Sequence, residues 1–180
     1  MLQVGGEMPL FLYLFFFFSA LISGPIMANS KTIVYGYIEK ATLVDHNLTI
    51  SAKLDTGAKS ASLNAQHIKE ITKNGKPYLS FIVPSKEGDK HFECEYIGKI
   101  NIKNRAEENQ TSKLFRYFVK RPVVLMKVKL GHQIQEIRVN LTNRKHFIYP
   151  MLLGREAIVA FNGCVDPNAR YIQSRKVKHA

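Results

Sequence analysis

Between residues 32 and 173 the chain breaks into many short β-prone runs separated by turn signals, with almost no apolar repeat at the helical period. That pattern constrains the fold more than any other feature of the sequence. Residues 32–39 (TIVYGYIE) are β-branched and aromatic, and 48–54 (LTISAKL) alternate apolar and polar side chains as a half-buried strand requires. Asn74-Gly75 is a tight-turn signal ahead of a strand at 78–83. The run 84–90 (PSKEGDK) reads as a loop, and 91–102 is again extended. Polar residues 104–112 predict a solvent-exposed excursion. Strands follow at 114–119, 123–130 and 133–141, the last two set at hairpin spacing by Gly131-His132. One short helix is predicted at 157–161 and a final strand at 171–173. Many short strands at close spacing argue for an all-β barrel or sandwich.

A length of 180 residues suits one domain with a short appendage. The appendage is at the N-terminus, where residues 8–22 (MPLFLYLFFFFSALI) carry no charge and lead into Ser23, Gly24 and Pro25. An apolar run closed by helix breakers and small residues has the form of a secretory signal, with Ala28 before a cleavage point. Glu7 and the lack of a preceding Lys or Arg depart from that form, and initiation at Met8 would remove the departure. An uncleaved anchor is the alternative, but Gly24-Pro25 shortens the helix below the roughly 20 residues that span a bilayer. The expectation is therefore a signal peptide or N-terminal membrane anchor at 1–28 and a folded, exported domain at 29–180, periplasmic or otherwise in the cell envelope.

Removing residues 1–28 takes away one acid and no base, raising the formal charge from +12 to +13. The basic residues are scattered through strand-like segments, and only the tail RKVKHA is a compact cluster. Without a zinc finger, helix-turn-helix or RNA-binding aromatic signature, this reads as a solvated basic surface rather than a nucleic-acid site. No HExxH, GxxxxGK[ST] or CxxC occurs, so neither a metal nor a nucleotide cofactor is expected. Asp166 precedes Pro167 and reads as a turn residue. Cys94 and Cys164 are compatible with a disulfide or with two free thiols.

The chemistry concentrates at Asp55-Thr56-Gly57-Ala58. An aspartate at a strand end followed by glycine can present its carboxylate in a tight turn. Gly57 would allow unusual backbone angles or close approach of a partner chain, and the Thr56 hydroxyl could brace the turn. The triplet alone is equally an ordinary strand-to-turn connection.

Its context narrows the choice. Leu54-Asp55-Thr56-Gly57-Ala58-Lys59-Ser60 resembles the active-site loop of retroviral-type aspartic proteases. Met151-Leu152-Leu153-Gly154-Arg155 resembles the strand that precedes their short C-terminal helix. The run from Asp55 to Ala65, with Arg121-Pro122-Val123-Val124, Val139-Asn140-Leu141-Thr142-Asn143-Arg144 and Pro150 to Glu156, is similar to a bacterial retropepsin-like family. Members of that family have been labelled ATP-dependent zinc proteases, some of them associated with the RimK ribosomal-protein modification system. The resemblance covers most of residues 32–173. It implies a small closed β-barrel of the acid-protease type with one short helix near the C-terminus, Asp55 as catalytic residue, and Thr56, Gly57 and Ala58 as loop support. It also implies a substrate-covering hairpin, for which 77–95, with Gly88 near its tip, is the candidate.

Aspartic protease chemistry needs two carboxylates, one taking a proton from water while the other polarises the scissile carbonyl. The chain has no second Asp-Thr-Gly or Asp-Ser-Gly. A homodimer giving one Asp55 from each subunit is the simplest completion. The expected function is an aspartic endopeptidase acting on a peptide or protein substrate. The alternative is an inactive module of the same fold that dimerises or binds peptide in the envelope.

Overall fold

The alternation in Leu48–Leu54 is realised as strand β2, with Leu48, Ile50, Ala52 and Leu54 buried and Thr49, Ser51 and Lys53 turned outward. The computed structural model describes residues 31–103 and 118–174, and Thr32 to Ala180 group as one compact unit. The signal or anchor segment at 1–28, the polar run 104–112 and the start of the strand at 114–119 lie outside the described residues.

Among the described residues there are ten strands: β1 (Ile33–Leu43), β2, β3 (Ala61–Asn64), β4 (Gln66–Lys73), β5 (Lys76–Val83), β6 (Lys90–Lys103), β7 (Phe118–Leu130), β8 (Gln133–Thr142), β9 (Met151–Leu153) and β10 (Gly163–Arg170). A 3-10 turn at Val44–His46 joins β1 to β2, and α1 (Arg155–Ala160) separates β9 from β10. Six strands close on themselves in the order β1-β2-β9-β3-β8-β7, with β7 pairing back to β1 through Leu43 and Val128. Closure removes the sheet edges of the barrel and gives its inward side chains one shared core. Leu43, Leu54, Leu63, Val124, Val139, Leu141, Met151 and Leu153 fill it. β10 adds outside β1 in parallel, while β6, β5 and β4 extend the sheet beyond β7. The outermost strand β4 is largely exposed and carries Lys69, Glu70 and Lys73, charges that discourage edge pairing with other chains.

The all-β barrel expected from the strand pattern and the family resemblance is present, and four details differ. The last strand is Gly163–Arg170 rather than 171–173, which forms a turn. Asp166-Pro167 suggested a turn; β10 nevertheless runs through it, because the register with β1 shifts there and Asp166 Oδ1 accepts the Asn168 N–H at 2.8 Å. β4 went unrecognised because its Lys- and Glu-rich sequence buries no residue fully, with only Ile68 resting partly buried against the core. The helix begins at Arg155, two residues early, directly after Gly154.

Glu39 is fully buried in β1, and among the described residues it forms no ion pair. Its Oε1 accepts the N–H groups of Gly36, Ile172 and Gln173 at 2.8, 3.0 and 3.3 Å, and its Oε2 accepts the Ser174 hydroxyl at 3.1 Å. These donors replace the lost hydration of the carboxylate and tie the turn after β10 to the barrel.

Both cysteines are free thiols, Cys94 buried in β6 and Cys164 exposed in β10. Burial, with the Asp45 charge nearby, pushes the Cys94 thiol up to about 12. Since the thiolate is the reactive species, an aromatic disulfide reagent at pH 8 should modify one thiol in the native chain and two after unfolding. Fast modification of both in the native state would contradict this packing.

Candidate active site

Asp55 follows β2 at the point where the parallel β2–β9 ladder ends with Leu54 opposite Leu153. The Asp55 N–H extends that ladder by one bond, donating to the Leu153 carbonyl at 2.9 Å, and the Ala58 N–H closes a turn onto the Asp55 carbonyl at 3.2 Å. The carboxylate is thus placed by strand geometry. Its Oδ1 accepts the Gly57 N–H at 3.0 Å, and its Oδ2 lies 3.9 Å from Lys53 Nζ. About 31% of the side chain is exposed, so the Lys53 pair is solvent-screened and orients more than it stabilises.

The two sequence motifs, a hundred residues apart, meet here. The N–H groups of Arg155 and Glu156 in the first turn of α1 donate to the carbonyls of Ala58 and Lys59 at 2.9 and 3.1 Å. The loop therefore satisfies donors that a helix start leaves without intrahelical partners. Arg155 Nη1 donates to the carbonyls of Thr56 and Gly57 at 3.0 and 3.2 Å, clamping the loop from outside. Gly154 is required by proximity: a Cβ there would stand 2.6 Å from the Ser60 carbonyl oxygen. Arg155 was legible only as part of a strand motif, because its hydrogen bonds cross the fold.

Gly57 does not supply the unusual backbone angle expected of it. It is not in the left-handed region; a Cβ there would stand 3.2 Å from Asp55 Oδ1, so glycine keeps space beside the carboxylate. The Thr56 side chain is exposed, and the loop is braced through the Thr56 carbonyl.

A polar layer continues behind the loop. Asn140 of β8 is buried; its Nδ2 donates to the Ser60 hydroxyl at 3.3 Å and to the Ala61 carbonyl, and its Oδ1 accepts from Arg121 Nη1 at 3.4 Å. Arg144, also buried, donates from Nε to the Tyr149 carbonyl at 3.3 Å and from Nη1 to the Ser62 hydroxyl at 3.5 Å. Burial holds both guanidinium groups below the usual arginine range, and Arg121 further lowers Arg144. Among the described residues no group of three or more His, Cys, Asp or Glu side chains is drawn together as for a metal.

The candidate covering hairpin requires correction. In β5–β6, Phe92 stacks on Phe81 and meets the His46 ring edge-on at 4.4 Å, at the start of β2 and so at the far end of that strand from Asp55. It is the opposite end of β6 that reaches the loop: Ile100, Asn101 and Ile102 line a cavity with Lys59, Ser60 and Asn140. The paired strands β6 and β7 therefore border the site. Sequence reading missed them because Gly88 and the charged 84–90 loop gave the stronger turn signal.

The model of a family described as RimB-like, retropepsin-like aspartic endopeptidase RimB, matches residues 34–176. The chain belongs to the RimB-like family. A crystal structure of a Legionella pneumophila protein of unknown function is 56% identical, covers 78% of this chain and 97% of its own, and superposes with a TM-score of 0.67. A Shewanella pealeana protein named as a probable alpha-L-glutamate ligase is 31% identical over 131 residues, 71% of this chain and 26% of the relative. A Desulfotalea psychrophila protein of the same name is 32% identical over 114 residues, 61% of this chain and 23% of the relative. The RimB-like chain thus spans about a quarter of the length of the curated relatives it matches.

Proposed function

We propose that this RimB-like chain is an aspartic endopeptidase, active as a homodimer, in which Asp55 of each subunit contributes one carboxylate to a shared water-activating pair. The observation that carries the reading is the Asp55 loop itself. A partly exposed carboxylate stands at a strand end, held through the Leu153 carbonyl, the Gly57 N–H and the Arg155 clamp, with no second such loop in the sequence. Rigid presentation of one carboxylate suits completion across a twofold axis. One ionised Asp55 would take a proton from water as the protonated partner donates to the carbonyl oxygen, giving a tetrahedral intermediate without a covalent enzyme adduct.

The ligase names of the relatives, together with a charge of +12, favour acidic peptides, α-linked glutamates among them, as substrate. We further propose that residues 1–28 direct the domain to the cell envelope as a signal peptide or anchor. Among the described residues no helix is long and apolar enough to cross a membrane.

The test pairs sedimentation equilibrium with cleavage of α-linked glutamate peptides by the full chain. A dimer whose specific activity falls on dilution through its dissociation range is expected. A strictly monomeric chain that cuts nothing would favour the non-catalytic binding module.

A further inference from the structure

The loop between β8 and β9 holds Phe147 and Ile148 side by side in water, 58% and 89% exposed, and Ile148 is the most exposed large apolar side chain among the described residues. That exposure is built in. Asn64 Oδ1, at the end of β3, accepts the Arg144 N–H at 2.7 Å, and the Asn64 N–H donates to the Pro150 carbonyl at 2.8 Å. The buried Arg144 also donates from Nε to the Tyr149 carbonyl at 3.3 Å. Between these feet the Phe147 N–H closes a turn onto the Arg144 carbonyl at 2.8 Å, and the Arg144 guanidinium lies 4.2 Å from the centre of the Phe147 ring. A loop fastened at both ends to a barrel strand holds its tip out instead of folding it onto the core.

The charge around the tip has one sign. No Asp or Glu occurs between Glu136 and Glu156. Lys145 and His146 directly precede the apolar pair, and both are exposed. Asn143 and Lys145 also border an open hollow of about 490 Å³ with Ala65, Gln66, His67 and Ile68, a lining without an acid. Ammonium, imidazole and amide N–H groups there can meet phosphate oxygens. Two apolar side chains are too few for a stable protein interface, which takes roughly 800 Å² from each partner. A bilayer surface does accept them singly, with apolar tips at the acyl boundary and lysine stems reaching back to the headgroups. Anionic lipid adds an attraction for each nearby cation.

We propose that the β8–β9 loop docks the domain on an anionic phospholipid bilayer, with Phe147 and Ile148 entering the interface and Lys145, beside the His67 hollow, meeting headgroup phosphates. The proposal uses neither Asp55 nor the fate of residues 1–28. It stands or falls apart from the peptidase reading.

The chain contains no Trp, so a single introduced one reports on one place. In the full chain, Ile148→Trp should move its emission to shorter wavelength when vesicles of phosphatidylglycerol and phosphatidylcholine are added. Lipids brominated on their acyl chains should quench it. Ile134→Trp, at an exposed position near the opposite end of β8, should show neither effect. That control separates docking by this loop from attachment through residues 1–28. Added salt should weaken the response. Lys145→Glu, combined with Ile148→Trp, should raise the lipid needed for half the shift by about 30-fold, the effect of two unit charges near an anionic surface. An unshifted Ile148→Trp, an equal response to pure phosphatidylcholine vesicles, or equal quenching at positions 148 and 134 overturns the proposal. A shift of Ile148→Trp that appears without lipid as the protein is concentrated also overturns it, in favour of a second copy of the chain.

Discussion

Asp55→Asn should abolish the proposed peptide cleavage, lowering kcat by about 10⁴-fold or more, while leaving the fold and the proposed dimer intact. Asparagine has nearly the shape of aspartate, and its Oδ1 can still accept the Gly57 N–H that holds the side chain at 3.0 Å. What disappears is the ionisable oxygen proposed to take the proton from water. In a dimer the substitution strikes both halves of the pair at once. Cleavage of an acidic peptide, circular dichroism and sedimentation on the same preparation separate lost chemistry from lost structure. A folded dimer that retains wild-type turnover would exclude Asp55 from the reaction.

Gly154→Ala should be nearly as damaging by a different route. The added methyl would sit 2.6 Å from the Ser60 carbonyl oxygen and 2.8 Å from the Lys59 carbonyl carbon and oxygen, all backbone atoms without a rotamer to escape into. Relief requires parting α1 from the Asp55 loop, which stretches the bonds from Arg155 and Glu156 to Ala58 and Lys59. A destabilisation of about 3 kcal/mol is expected in urea unfolding, within the range for overpacking, together with a fall in activity per folded molecule. Gly163→Ala is the matched control. Its methyl would meet the Tyr35 ring at 2.7 Å, so it should lower stability and spare the turnover of molecules that remain folded. Equal specific activity for the two variants would show that the Gly154 contact does not position Asp55.

The short-range features were legible from the chain alone. Leu48 to Leu54 alternates because one face of a strand meets a core, and Asn74-Gly75 turns because both residues adopt positive φ at little cost. β4 and β10 were not legible. β4 is an edge strand with no fully buried residue, and β10 runs through Asp166-Pro167 because β1 offers it a shifted register. Local propensity does not report a neighbour that is distant in sequence.

The same division holds at the site. The sequence by itself determined that the chain is built of short strands, that its family-like carboxylate is Asp55, and that no second Asp-Thr-Gly accompanies it. Tertiary structure alone decided what surrounds that carboxylate. It joined Leu153, Gly154 and Arg155 to the loop, set the paired strands β6 and β7 beside the site, and gathered Arg121, Asn140 and Arg144 behind Ser60 and Ser62. The reason is physical: hydrogen bonds and charge interactions act over a few ångströms in space, and barrel closure brings together residues that the chain places a hundred positions apart.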